Sequence, residues 1–254
     1  MKITFTGTGT SQGVPVIGCA CDVCRSKDFR DNRLRTSALI ESEGKKILID
    51  AGPDLRQQLL KANVNSLDGI LITHEHRDHV GGLDEVRALN YFQQKPADVY
   101  AEAGVLKAIR ADFAYAFQKI PYPGAPKIDL HEFSENEPFR VAGIRITPIR
   151  VIHMNLPVSG FRIGDLTYIT DASSIPEEEF EKIYGTKLLV LNALRKEKHI
   201  SHFTLYESID IAKRIGAETT VFTHISHQMG LYADVKKELP AGMILAYDTL
   251  QINV

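Results

Sequence analysis

Within six consecutive residues, His74-Glu75-His76-Arg77-Asp78-His79, the chain places four candidate metal ligands, His74, His76, Asp78 and His79. Imidazole nitrogen and carboxylate oxygen suit zinc, manganese or iron, and the lack of adjacent thiolates argues against a purely structural zinc site. The stretch follows the apolar run Gly69-Ile70-Leu71-Ile72-Thr73, suited to a buried strand, and precedes Val80, Leu83, Val86 and Leu89 at helical spacing. A turn leaving a strand directs alternate side chains to separate points. His74 and His76 are therefore expected to share one metal, and Asp78 and His79 to bind a second. A solvated polar turn would explain one histidine, but not a run of this composition.

Cys19, Cys21 and Cys24 are the only cysteines. An odd number packed so closely cannot make a disulfide framework. They are either reduced thiols or joint ligands of a metal, and a closed tetrahedral zinc site would need one further ligand.

The elements that hold these residues follow from apolar spacing and turn chemistry. A strand at Ile3–Thr6 leads into a loop from Gly7 to Arg33, rich in Gly, Cys and charge. Irregular segments of that length are usually functional or tied down. Strands follow at Ser37–Glu41 and Lys46–Ile49, joined by Glu43-Gly44. A helix is predicted over Pro53–Ala62, with Leu55, Leu59, Leu60 and Ala62 on one face, and another over Val80–Asn90. Ala101–Phe117 includes a third, and the Pro-rich Pro121–Pro126 breaks the pattern. The second half is similar. Strands are predicted at Phe139–Val141, Ile144–Arg150, Gly160–Ile163, Leu166–Thr170, Leu188–Leu191, Thr219–Thr223, Ile244–Ala246 and Leu250–Asn253. Gly164-Asp165 joins the third to the fourth. Thr204-Leu205-Tyr206-Glu207 fits a capping box, opening a helix whose buried face carries Leu205, Ile209, Ala212 and Ile215. Two similar halves, rich in strands, point to two packed sheets with helices outside.

The bulk properties narrow the function classes. With 254 residues, 44% hydrophobic and 24% charged, the chain can bury a substantial core, and no Pro/Gly/Ser linker divides it. A single domain over 1–254 is expected, with the Cys-rich loop at about 7–33. A net charge of -2 argues against a basic nucleic-acid coat, though not against a local groove. No apolar run approaches the ~20 residues of a membrane span. Met1–Gly7 lacks the features of a secretory signal, so the cytoplasm is the expected compartment.

His74–His79 resembles the H-x-H-x-D-H hallmark of the metallo-β-lactamase superfamily, and the other motifs of that family occur in order. Asp50, beginning Asp50-Ala51-Gly52, matches the early aspartate that supports the site. His153 after the strand Ile144–Arg150 matches the third metal histidine, Asp171 the carboxylate bridging both metals, and His224 the last ligand. The resemblance covers about Ile3 to Val254. It implies an αββα sandwich with two divalent metals, Mn²⁺, Zn²⁺ or Fe²⁺, at one edge between the sheets. The superfamily hosts lactamases, thioester hydrolases, lactonases, tRNA 3′-processing nucleases and phosphodiesterases, so the fold does not give the substrate.

Within it the chain resembles the phosphoribosyl cyclic phosphodiesterases of the carbon–phosphorus lyase pathway, which pair the dimetal site with a Cys-rich structural zinc. Thr6–Pro15, the C-x-C-x-x-C and Thr223-His224-Ile225-Ser226-His227-Gln228 carry the likeness. It implies a structural Zn²⁺ on Cys19, Cys21, Cys24 and His227, clamping the loop beside the active site. A pyrroloquinoline-quinone branch has a similar cysteine cluster but a degenerate metal motif, whereas His74–His79 is complete. His202, in Ser201-His202-Phe203-Thr204, matches the branch's catalytic histidine. His199 is near but lacks the His-x-Thr pattern, and His131 is given no role.

The expected reaction is hydrolysis of a ribose 1,2-cyclic phosphate or another cyclic phosphodiester by a metal-bridging hydroxide. Two metals ~3.5–4 Å apart would lower the pKa of that hydroxide. His202 and Asp78 are the candidate catalytic residues. His202 would protonate the leaving oxygen or stabilise the phosphoryl oxygens, and Asp78 also ligates metal. The expected partner is a small-molecule phosphodiester, with neither nucleic acid nor membrane. Related proteins often dimerise, so a homodimer is expected. The alternatives are a tRNA 3′-end nuclease or other hydrolase of this fold, and a metal-binding or sensing module.

Overall fold

The computed structural model describes residues 1–120 and 122–254; Pro121 of the predicted Pro-rich break lies outside them. In chain order the elements begin with β1 (Lys2–Gly7), β2 (Ser37–Ser42), β3 (Lys45–Ile49), α1 (Leu55–Lys61), β4 (Gly69–Leu71), α2 (Arg77–Val80) and α3 (Val86–Gln93). Then come β5 (Ala97–Ala101), α4 (Ala103–Asp112), β6 (Ile128–Glu132), β7 (Phe139–Val141), β8 (Ile144–His153), β9 (Leu156–Ile163) and β10 (Leu166–Tyr168). The chain closes with α5 (Phe180–Ile183), β11 (Leu188–Asn192), α6 (Leu205–Ile215), β12 (Thr219–Thr223), α7 (Tyr232–Glu238), β13 (Met243–Leu245) and β14 (Gln251–Asn253).

The strands form two seven-stranded sheets, ordered β14-β1-β2-β3-β4-β5-β6 and β13-β12-β11-β10-β9-β8-β7. In the first, β14 through β3 pair antiparallel and β3 through β6 parallel. In the second, β10 through β13 are parallel and β7 through β10 antiparallel. Strand alternation assigns side chains to layers. Ile47 and Ile49 of β3, with Leu188 and Val190 of β11, enter the core between the sheets. Leu48 faces the helices outside the first sheet, and Leu189 and Leu191 face those outside the second. Strands buried on both faces need apolar residues at nearly every position, which is why Ile47–Ile49 of β3 and Leu188–Leu191 of β11 read as apolar runs. The αββα sandwich follows.

The sequence-based elements stand with specific corrections. Strands β5 and β6 and helices α5 and α7 were not anticipated. β8 runs to His153 rather than ending at Arg150, so His153 ends the strand instead of following it. Leu60 does not join the buried face of α1; it is 64% exposed. The helix expected over Val80–Asn90 is broken into α2, a 3-10 turn at Leu83–Glu85, and α3. The break is steric. A Cβ at Gly82 would collide with Gly52 O and one at Gly52 with Asp78 O, so the two turns meet backbone to backbone. His131 lies on β6, 2.8 Å from Asp98 and stacked on Tyr100, away from any ligand cluster.

Candidate metal centre

The turns after β3, β4, β10 and β12 converge at one edge of the sandwich. All four strands belong to the parallel parts of their sheets, and the carboxyl ends of such strands are where open α/β sheets place their ligands. Asp50, Asp171 and His224 take left-handed backbone conformations there, with φ of 62°, 57° and 56°. Asp, Asn and His are the residues besides glycine that tolerate this region best. The left-handed residue turns the chain sharply and leaves its side chain at the strand end. The Asp50 turn is docked on the histidine motif by Ala51 N–H to His79 O at 2.7 Å and Gly82 N–H to Ala51 O at 2.8 Å.

Four of the imidazoles, those of His74, His79, His153 and His224, have Nδ1 committed to a protein partner. His79 Nδ1 donates to Asp50 Oδ2 at 2.7 Å, and His153 Nδ1 to Ser201 O at 2.7 Å. Thr36 Oγ1 gives its one hydrogen to Gly9 O at 2.7 Å, so at 3.1 Å from His224 Nδ1 it can only accept. Thr73 Oγ1 likewise donates to Asp50, at 3.0–3.1 Å, and accepts from His74 Nδ1 at 3.0 Å. Hydrogen on Nδ1 leaves Nε2 with a lone pair, the form a metal requires. Sequence reasoning missed Thr36, Thr73 and Ser201, because their role depends on contacts between distant segments. It also missed Asn192, whose side chain bonds both N–H and C=O of Ala172 and so fixes the Asp171 turn, at 2.8 and 2.9 Å.

Nε2 atoms converge on carboxylates. His79 Nε2 lies 3.1 Å from Asp78 Oδ2 and 3.3 Å from Asp171 Oδ2; His224 Nε2 lies 3.2 Å from Asp171 Oδ1. His74, His79 and Asp171 bring ligand atoms within 4.8 Å of one another, as do His153, Asp171 and His202. His76 is exposed, its ring 4.6 Å from that of His74 and 5.2 Å from that of His153. Thus all seven residues expected to hold the dimetal pair meet here, with Asp171 between the two groups. His202 is drawn in closer than its expected role required, its ring stacked 4.8 Å from His224.

Burial and charge act together here. Although burial alone would lower it, Asp171, Asp50 and Asp78 hold His79 well above the usual imidazole range. Burial raises Asp50. Asp171 is held well below the carboxylate range, against its burial, by His224, His79 and His74. Burial, then the positive charge of His79, pushes His74 down; His202 is lowered to about 3 by burial and by His224. The Nε2 atoms of His74 and His79 are buried without a hydrogen-bond partner. Around the buried carboxylates, His79 carries the positive charge that a bound cation would replace, and His74 is held neutral with its Nε2 free; this donor set suits a divalent cation, and so the residues fit the metals the motif implies.

A second cluster forms at the early loop. His227 Nδ1 lies 3.4 Å from Cys19 Sγ and 3.4 Å from Cys21 Sγ, and Cys24 completes a group whose ligand atoms lie within 4.8 Å of one another. The Cys24 N–H and the His227 ring lower Cys21 to about 6, while burial raises Cys24 to about 11.

Residues 45–225, more than half of the chain, match the family model described as "Beta-lactamase superfamily domain". The chain belongs to this superfamily. It has the metallo-β-lactamase fold. A solved structure described as a new diphosphatase from the PhnP family matches with a TM-score of 0.93 and 37% identity, covering 100% of this chain and 97% of that one. An octanoyltransferase of Porphyromonas gingivalis is 44% identical over 253 residues, which are 99% of this chain and 51% of that protein. The chain therefore spans about half the length of that relative. A ribonuclease Z of Methanococcus maripaludis is 25% identical, covering 89% of this chain and 88% of that protein. Among the described residues no helix is long and apolar enough to cross a membrane.

Proposed function

We propose that the chain is a metal-dependent phosphodiesterase acting on a small cyclic phosphodiester, with ribose 1,2-cyclic phosphate as the preferred class. The observation that carries this reading is His202, placed beside Asp171 and His153 and kept neutral by its burial and by His224. The match along the whole chain to a PhnP-family diphosphatase supports phosphorus as the reacting centre. His74, His76 and His153 would hold one divalent metal, Asp78, His79 and His224 the other, with Asp171 shared. Mn²⁺, Zn²⁺ or Fe²⁺ suits this set, and Zn²⁺ suits Cys19, Cys21, Cys24 and His227. When bound, the active-site metals supply Lewis acidity and an activated water. Asp50 and Thr73 orient the ligand imidazoles. Asp78 holds its metal and keeps a negative charge beside His79. The cationic form of His202 is disfavoured by burial and by the start of α6. An anionic phosphate reverses that preference, so the ring gains its proton where the leaving oxygen needs one.

Ester or thioester chemistry is a second reading, favoured by the octanoyltransferase relative. Its weakness is chemical. Every cysteine of the chain lies in the early loop, so acyl transfer through a thiol has no carrier among the His and Asp side chains, and only hydrolysis of the acyl ester by an activated water stays open to this site. The deciding experiment is a panel on metal-loaded protein: a ribose 1,2-cyclic phosphate, bis(p-nitrophenyl) phosphate, a precursor tRNA, an octanoyl thioester and a lactam. Preference for the cyclic phosphate is expected. Faster turnover of the thioester or the tRNA would replace the proposal, and no turnover of any phosphodiester would favour a metal-binding module.

A further inference from the structure

Arg195 lies between the thiolate cluster and His202. Beyond the end of β11 at Asn192, residues 193–195 form a strap bonded on both sides. Ala193 N–H donates to Thr223 O at 2.9 Å and Ser226 N–H to Leu194 O at 2.9 Å, joining the strap to the segment bearing His224 and His227. On the other side, Leu194 N–H donates to Phe203 O at 3.1 Å and Leu205 N–H to Arg195 O at 2.9 Å, fixing the residues directly after His202 and setting the start of α6.

The guanidinium closes the arrangement. Nη1 donates to Gln228 Oε1 at 2.6 Å, Nη2 to Lys198 O at 2.9 Å and Nε to Glu197 O at 3.2 Å. Gln228 directly follows His227, whose ring touches two of the thiols. Glu197 and Lys198 begin the loop that ends in Ser201, the acceptor for His153, and in His202. All three acceptors are uncharged oxygens, so the fork acts through geometry rather than an ion pair. A planar group with donors in fixed directions suits that task, and a lysine does not.

We propose that Arg195 is a positioning residue that couples the thiolate loop to His202, through Gln228 on one side and the backbone of residues 197–201 on the other. This rests on the reading of His202 as the group that assists a poor leaving oxygen. A misplacement of about 1 Å is enough to cost up to ~10²-fold in rate.

The test compares two phosphodiesters in protein whose active-site metals are fully loaded, the ribose cyclic phosphate with a poor leaving oxygen and bis(p-nitrophenyl) phosphate with a good one. Arg195→Ala is expected to keep its metal content and KM while kcat on the cyclic phosphate falls roughly 10–100-fold and on the aryl ester little. Gln228→Leu should repeat the contrast, and Gln228→Glu, which keeps the acceptor oxygen, should restore activity. Cys21→Ser should also produce it, by freeing the loop from the other end. Equal loss on both substrates, no loss on either, or loss of active-site metal overturns the proposal for Arg195. The contrast in Arg195→Ala without it in Cys21→Ser overturns the coupling to the thiolate side. His202→Ala separates the two readings: if it shows no contrast, the role of His202 fails; if it shows one and Arg195→Ala does not, only the present proposal fails.

Discussion

One carboxylate, Asp50, governs two imidazoles at the residue scale: it accepts directly from His79, and through the Thr73 hydroxyl it orders His74. Partners of this kind fix the tautomer and raise ligand basicity, and their loss typically costs 10–100-fold in metal affinity or activity. Asp50→Asn should therefore fold, yet lose metal in a competition assay with a chelator by about that factor. Retention at the wild-type level would show that Asp50 does not orient His79. His202 belongs to the same edge but makes a different prediction. His202→Ala should retain all metals and lose roughly 10²–10⁴-fold in turnover on a substrate with a poor leaving oxygen, the scale of a positioned acid–base group. Elemental analysis beside the kinetics separates these outcomes, since loss of metal together with activity would make His202 a ligand instead.

Elements place these side chains by their ends, not by their faces. The site sits where parallel strands stop, and at three such ends a left-handed Asp or His turns the chain. The Asp50 turn can reach the histidine motif only because Gly52 and Gly82 have no side chains to hold them apart. Gly82→Ala should cost on the order of 1–3 kcal/mol in chemical denaturation, as overpacking does, and should loosen metal binding by shifting His79 from Asp50. An unchanged denaturation midpoint would sink that account. α6 gives a milder case. Thr204 accepts from Glu207 N–H at 3.2 Å while Glu207 Oε2 accepts from Thr204 N–H at 2.8 Å, the capping box expected from the four residues. Thr204→Ala should cost ~1 kcal/mol, read as a lower unfolding midpoint at unchanged metal content.

At the scale of the whole molecule, the early loop joins the two sheets through buried polar contacts. Arg33 donates to Thr8 at 2.9 Å, and Asp248 accepts from Thr8 Oγ1 and from Leu34 N–H, each at 2.8 Å. Burial raises the Asp248 carboxyl to about 6 from 3.8. Because the folded value lies above the unfolded one, its contribution to stability is full below about pH 4 and is lost as pH rises through about 6. The difference is on the order of 3 kcal/mol. Asp248→Asn should flatten the fall in unfolding free energy between those values, and an unchanged slope would refute the shift. At the far side of the loop, Cys21→Ser should release one zinc per chain and lower the melting temperature while leaving the other metals bound. Unchanged zinc content would exclude a thiolate site.

Much was legible in the order of residues. Apolar runs marked β4, β11 and the end of β3, because strand segments buried on both faces are apolar at nearly every position, while β1 and β12 were marked by threonines set among β-branched and aromatic residues. The capping box marked the start of α6, and His74–His79 declared metal chemistry, because their signals are local. Other features had no local signature. β5 and β6 were missed because their polar, partly exposed sequences take strand geometry from the neighbours they pair with. The helix after the histidine motif was read too long, since its interruption comes from Gly52, some thirty residues earlier in the chain. Asp50, Asp171 and His224 could be matched to a family pattern, but their left-handed turns, and the tautomers imposed by Thr36, Thr73 and Ser201, exist only once distant strands are side by side. Ligand type is a property of a residue, whereas which nitrogen it presents is decided by what packs against its other side.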